Sequence, residues 1–268
     1  VTGVQTCALP ISATALSYLI LIHQRADPLF TELHNTIKNT DDSSIRETTL
    51  HALRGIVSPA GNKMSEPVEK QIFTTLINLL GYQEDITRNA AAGCLGALCK
   101  WLPTAQLDTV LNEHILNDEP HLDWMLRQGR AAALSVTLKE SANILWDDQY
   151  QIRLIRTLLC QLSADRVPIT QTAVRSCGYL LQYLMINEQQ LPINLLVPFV
   201  KTMNNSSNDV KQLLAKVAIH LARTVPSDKM TPELLKLLLP ALVNGTKEKN
   251  SYVKANSEMA LIAVLQLK

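Results

Sequence analysis

Apolar positions along this chain recur with the period of an α-helix, and the helical stretches themselves recur. Six segments share one form: a polar or acidic turn, an anchor residue, usually Lys or Arg next, then a run of small and apolar residues. They read "DDSSIRETTLHALRGI", "YQEDITRNAAAGCLGAL", "HLDWMLRQGRAAALSVTL", "ADRVPITQTAVRSCGYLL", "SSNDVKQLLAKVAIHL" and "EKNSYVKANSEMALIAVL". The anchors are Ile45, Thr87, Leu126, Ile169, Val210 and Val253, separated by 42, 39, 43, 41 and 43 residues. Seven residues beyond them stand Ala52, Cys94, Ala133, Ser176, Val217 and Ala260; eight beyond, Leu53, Leu95, Leu134, Cys177, Ala218 and Leu261; eleven beyond, Ile56, Leu98, Thr137, Leu180, Leu221 and Val264. Offsets of 0, 7, 8 and 11 describe one face of a helix. Small residues at the seventh position predict that a neighbouring backbone approaches closely.

A second helix-forming stretch precedes each of these. "DPLFTELHNTIKN" (27–39) is expected to start at Asp27 with Pro28 at the first helical position. The stretch 65–80 has Ser65 as cap and Pro67 in its first turn, and the others span 104–116, 148–162, 191–203 and 231–245. Gly245 after Asn244 predicts a left-handed C-terminal cap. Pro198 and Pro240 fall inside two of these helices and predict kinks. Gly93, Gly96, Gly129 and Gly178 fall inside the later helix of their pairs, where each costs ~1 kcal/mol relative to Ala; close helix contact is the expected compensation.

Helix pairs repeating at roughly 40–47 residues follow the rule of HEAT and armadillo arrays, and two helices per unit favour HEAT. The fold class is all-α, a right-handed αα superhelix. Six repeats are expected at approximately 27–62, 65–102, 104–143, 147–187, 191–225 and 231–268, behind the second helix of an incomplete repeat at 13–26. No unit can bury its apolar face alone, so stacked neighbours must build the core. Terminal helices are therefore expected to expose apolar side chains.

Composition agrees with helices: 47% of residues are apolar and only 4% aromatic. The net charge of +1 provides no global field for nucleic acid or an anionic membrane. The apolar stretch "ALSYLILI" (15–22) is far short of the ~20 residues that span a bilayer. A cytoplasmic protein without membrane contact is expected, so the sequons at 204–207 and 244–246 carry little weight. Of five cysteines, Cys94 and Cys99 lie ~7.5 Å apart in helical rise alone, beyond the reach of a disulfide. Cys160 and Cys177 sit among apolar neighbours, and the reading for the set is reduced and buried.

Catalytic constellations are hard to find. The sequence holds no glycine-rich phosphate loop, no G-x-S-x-G elbow, no H-E-x-x-H and no paired C-x-x-C. One loop clusters His114, Asp118, Glu119, His121 and Asp123, but without the regular spacing of a metal site. No enzyme, cofactor or metal is expected. The basic residues carry more. Arg46, Arg88, Arg127, Thr170, Lys211 and Lys254 directly follow the anchors and would form a column in a stack. Acidic residues precede many of them: Asp42, Asp85, Asp123 and Asp209. One reading is a structural ladder, each cation bonding the Asp or turn carbonyls of its own or an adjacent repeat. The other is a binding strip, for which Arg54, Arg130, Arg175 and Lys216 are additional candidates. The partner-binding candidates are Arg88, Arg127, Arg130, Arg175 and Lys211. Trp101, Trp124 and Trp146 are read as core or rim, since aromatics for base stacking do not interleave the cations. A protein partner is expected, without direct sequence-specific contact to nucleic acid.

Several blocks go beyond generic HEAT. "DPLFTEL", "AAGCLGALC", "DWMLRQGRAAALSV", "ADRVPI" and "TKEKNSYVKA" together resemble the C-terminal HEAT array of the translational-activator family called general control nonderepressible one. The resemblance covers nearly all of residues 13–268. It implies a fragment of a very long cytosolic scaffold that associates with stalled or collided ribosomes. It also implies binding to the RWD domain of the initiation-factor-two-alpha kinase, and activation of that kinase in amino-acid starvation. Other HEAT scaffolds, of the transport-receptor or phosphatase class, are the alternative. The opening "VTGVQTCALPIS" (1–12) resembles a translated sequencing adapter, and "MALIAVLQLK" stops within a helix; both suggest an internal slice of something longer.

Overall fold

The computed structural model describes residues 26–266, except 118 and 120. The adapter-like opening with Cys7, the helix expected over 13–26 save its last residue, and Asp118 of the polar loop lie outside the described residues. Twelve α-helices occur among those described. They are α1 (Asp27–Asn39), α2 (Ser43–Ala60), α3 (Glu66–Leu79), α4 (Asp85–Leu98), α5 (Thr104–Thr109) and α6 (Trp124–Leu145). Then follow α7 (Asp148–Leu162), α8 (Val167–Ile186), α9 (Ile193–Lys201), α10 (Asn208–Thr224), α11 (Pro232–Gly245) and α12 (Ser251–Leu265). Among the described residues there is no β-strand. The chain is an all-helical HEAT/armadillo-type fold, as the period predicts.

Two compact units divide the chain, one comprising the described residues up to Asn117 with His121–Glu140, the other Glu119 with the described residues from Ser141 on. In the first, α1 packs on α2 and α3 on α4, while α1 also meets α3 and α2 meets α4. First helices thus form one row and second helices another. Phe30, Leu50, Leu53, Ile56, Ile72, Leu76, Leu95 and Leu98 are buried between the rows. Each such side chain contributes roughly 1.5–3 kcal/mol by leaving water. The second unit repeats the scheme. There α7 packs on α8 and α11 on α12, with α7, α9 and α11 in one row and α8, α10 and α12 in the other. Its core includes Leu154, Leu158, Ile169, Leu180, Leu196, Phe199, Leu214 and Leu242.

The turns are built by short polar side chains. The Asp42 carboxylate accepts from the backbone N–H groups of Ser44 and Ile45, and Asp123 accepts from those of Met125 and Leu126. Asp147 does the same for Gln149, and the Asn250 side chain for Tyr252 and Val253. Each satisfies donors that the first helical turn leaves without partners. The acidic residues ahead of the second helices at Asp42 and Asp123 are therefore helix caps.

Several details differ from the sequence expectation. Asp27 lies inside α1 with Pro28 in the second position, and its carboxylate accepts instead from the Ser65 N–H at the start of α3, 2.8 Å away. Gly245 is no left-handed cap: it is the last residue of α11, and no described glycine has positive φ. Its missing side chain leaves room for Ser257 of α12, whose Oγ an added Cβ would overlap. As expected, Pro198 and Pro240 lie inside helices, α9 and α11. The helix expected over 104–116 changes character midway, becoming a π-helical segment at Val110–Ile115. Helix α6 continues past its repeat pattern to Leu145 and is interrupted at Ser141, where φ is −153° and ψ 47°. The anchor Ile45 is 49% exposed, whereas Thr87 and Ile169 are fully buried at equivalent places. The expected apolar exposure of the last helix is present on α12, at Tyr252, Met259, Ile262 and Leu265.

The glycines inside second helices meet neighbouring helices, as their cost requires. A Cβ on Gly96 would lie 2.7 Å from Val136 of α6, and one on Gly178 would lie 2.6 Å from Cγ1 of Val217 on α10. On Gly129 it would overlap the Leu80 carbonyl, a backbone atom that cannot swing aside. At Gly81 the nearest atoms are ordinary Leu126 contacts at 3.7 Å. Gly129→Ala is therefore expected to destabilise the chain by about 2–3 kcal/mol, within the range for overpacking. Gly81→Ala should be neutral or stabilising by up to about 1 kcal/mol, through the unfolded chain. Urea titration of both variants checks the contrast.

Candidate functional site

In three of the six repeats the residue after the anchor turns out to serve the helix before it. Arg46 donates through Nη2 to the Thr40 carbonyl and stacks over the Tyr82 ring at 4.8 Å. Arg88 donates through Nη1 to the carbonyls of Tyr82 and Gln83, at 2.6 and 2.7 Å. Thr170, where the pattern lacks a cation, donates its hydroxyl to the Ala164 carbonyl at 3.1 Å. Thr40, Tyr82 and Ala164 each lie six residues upstream, just past the end of α1, α3 and α7. Carbonyls there have no intrahelical partner, and the helix dipole places partial negative charge on them. A cation from the second helix answers both needs and fixes the turn.

Arg88 reaches further. Its Nε donates to Gln128 Oε1 at 2.5 Å, linking α4 to α6, and Gln128 returns a bond to Asn89. The Trp124 ring lies 5.4 Å from its guanidinium carbon. Arg88 is 2% exposed, and burial pulls its pKa below the usual guanidinium value, partly opposed by the charges of Asp85 and Asp123. Arg127, at the equivalent position of the next repeat, is also buried, and buried Arg130 donates to the Asn117 carbonyl at 2.7 Å. Lys211 makes a 2.8 Å ion pair with Glu248, from α10 to the turn after α11. Lys254 is exposed.

Of the five partner-binding candidates, Arg88, Arg127 and Arg130 are buried and Lys211 is ion-paired; Arg175 is exposed. Arg54, one of the additional cations, pairs with Glu140 at 2.8 Å. Lys216 is exposed like Arg175, and both stand six residues after their anchors. They mark a surface formed by α8 and α10. The ring of Tyr179 meets that of His220 edge-on at 6.4 Å, and His220 Nε2 is 3.0 Å from Gln182 Oε1. Arg223 is exposed one turn beyond His220. Sequence reasoning missed Tyr179, Gln182, His220 and Arg223. The signal was available in the helical spacing of Lys216, His220 and Arg223, and in the absence of Asp and Glu from Val167–Ile186.

The reactive groups elsewhere are poorly placed for chemistry. Cys94, Cys99, Cys160 and Cys177 are free thiols. Burial pushes Cys94 and Cys99 up to about 12 and raises Cys177 as well, so they are not thiolates at neutral pH. His114 packs edge-on to Phe73 at 6.3 Å. Among the described residues, no three His, Cys, Asp or Glu side chains are grouped to hold a metal, and no helix is long and apolar enough to cross a membrane. Trp101 donates its indole N–H to the Val57 carbonyl at 2.8 Å, a structural bond from the turn after α4 to α2.

Replacing Arg88 by Met leaves two backbone carbonyls and Gln128 without their donor. R88M is expected to cost about 3 kcal/mol through these buried acceptors left unsatisfied, whereas R175E should leave the melting temperature unchanged; calorimetry of both variants checks this. The histidines set an acid limit. Burial, and secondarily Lys38, lowers the pKa of His34, which shares a 2.8 Å hydrogen bond with Thr75. Burial and then Arg130 lower that of His114. Because the unfolded value is 6.5, the unfolded chain takes up these protons first. Their contribution is present above pH 6.5 and is lost as pH falls towards the folded values. Melting temperature should therefore drop between pH 7 and pH 5, and H34Q/H114Q should flatten that drop.

Comparison with known proteins gives this fold a lineage. The family described as "Stalled ribosome sensor GCN1-like, HEAT repeats" matches residues 27–268. The chain is 38% identical over 258 residues, 96% of its length, to the stalled ribosome sensor GCN1 of Mus musculus, and equally to that of Homo sapiens. It is 26% identical over 260 residues to the protein ILITYHIA of Arabidopsis thaliana. It spans about a tenth of the length of these curated relatives. Among solved structures it is similar to Kap121p, with a TM-score of 0.66 and 14% identity over 88% of this chain and 25% of that one. That likeness shows the fold alone. Family match and sequence identity together place the chain in the GCN1-like stalled ribosome sensor family, within its HEAT repeats.

Proposed function

We propose that this chain is part of a non-catalytic cytoplasmic scaffold that binds the RWD domain of the initiation-factor-two-alpha kinase. The longer protein would hold that kinase at stalled or collided ribosomes and promote its activation in amino-acid starvation. The observation that carries the reading is the 38% identity across 96% of the chain to proteins named as stalled ribosome sensors. The fold supports it physically, since stacked helix pairs offer extended surface. The mechanism is tethering: a partner held to the same scaffold experiences an effective concentration near millimolar, without any new bond being made. Of the site candidates, Arg175 is the one whose charge is free to meet a partner; Lys211 could do so only by giving up Glu248.

The test is a pull-down of the purified RWD domain on the immobilised chain, with titration by interferometry. Saturable binding is expected, weakened several-fold by R175E. Failure of the RWD domain to bind while the chain melts cooperatively would remove kinase binding from this segment.

A further inference from the structure

We propose that the exposed surface shared by α8 and α10 is a docking site for an acidic segment of a partner protein. Three cations mark it: Arg175 on α8, and Lys216 and Arg223 on α10, all exposed. None has a carboxylate partner among the described residues. This sets them apart from Arg54, Lys70, Lys211 and Lys229, each ion-paired with a glutamate, and from Arg46, Arg88 and Arg130, which cap carbonyls.

The three belong to one surface. Lys216, His220 and Arg223 follow the i, i+4, i+7 spacing of a single helix face. Arg175, Tyr179 and Gln182 follow the same spacing on α8. The faces are joined by the Tyr179–His220 ring contact and the Gln182–His220 hydrogen bond, with Gly178 and Val217 closing the seam beneath. The surface is one-signed. Helix α8 contains no Asp or Glu, and the one carboxylate of α10, Asp209, lies in its first turn. On α12, which packs beside α10, the position equivalent to Arg175 and Lys216 is Met259, and Glu258 is the helix's one acidic residue.

Charge complementarity identifies the occupant. Unpaired guanidinium and ammonium groups converging on one face repel each other, and carboxylates of a partner relieve that repulsion while steering its approach. Gln182 and the His220 imidazole between the cations offer hydrogen bonds to a peptide backbone. Three cations on a chain of net charge +1 are few for a phosphate backbone, whose binders neutralise many charges. An acidic protein segment fits the scale of the patch better.

The experiment uses the whole chain and a fluorescein-labelled acidic peptide of about 16 residues, half glutamate, followed by polarisation. A single-stranded RNA of about the same length is the second probe. Wild type is expected to bind the peptide, and R175E/K216E/R223E to weaken binding at least ten-fold. K38E/K201E/K236E carries the same charge change on first helices and should lose no more than about two-fold. Equal loss in both triple variants, or no loss in the first, overturns the proposal. So does RNA binding tighter than peptide binding and dependent on the same three residues. Should the patch variant melt earlier than wild type, R175A/K216A/R223A is titrated in its place under the same criteria.

Discussion

The constraint on which the rest depends is the unfinished backbone at the end of every first helix. Carbonyls there must find donors, and the turn that follows is too short to hide them from the next element. Arg46, Arg88 and Thr170 meet the need from one position of the second helix, six residues downstream of the acceptor. A single side chain thus fixes the turn, the pairing of two helices and, through the Arg88–Gln128 bond, the registration of one pair on the next. In an array whose stability is a sum of unit and nearest-neighbour terms, a residue that serves both terms couples them.

This explains why burial and basicity coincide in the first unit. Arg88 can be desolvated there because its donors find two carbonyls and an amide oxygen in fixed directions and its guanidinium lies against an aromatic ring. In the second unit, threonine does the same work at Thr170, and Lys211 turns to a glutamate instead. Arg175 and Lys216 stand six residues past their anchors rather than one, and solvent takes the place of internal partners.

The helices were legible in the sequence because their cause is periodic. The stretch 27–39 matches α1, and the offsets of 7, 8 and 11 mark buried positions in most second helices, Leu53, Leu95 and Leu180 among them. What the sequence hid depends on neighbours. Gly245 reads as a cap from its place after Asn244, yet Ser257, twelve residues downstream, determines its role. The π-helical turn at Val110–Ile115 and the interruption at Ser141 have no signature in composition. The same holds for the basic column. Spacing reveals that Arg88 and Arg175 recur, but only coordinates show that the first is enclosed and the second is not. One candidate out of five therefore keeps an open charge, and its companions Tyr179, Gln182, His220 and Arg223 emerge from contacts across two helices.

The glycine at 129 sets main-chain atoms against main-chain atoms, with the Leu80 carbonyl where a side chain would begin. Elsewhere in the stack, spacing can adjust through rotamer changes of leucine and valine. At this point no rotamer exists to give way. The seam is accordingly a fixed spacer within the first unit, and bending strain applied to that unit would be absorbed on either side of it.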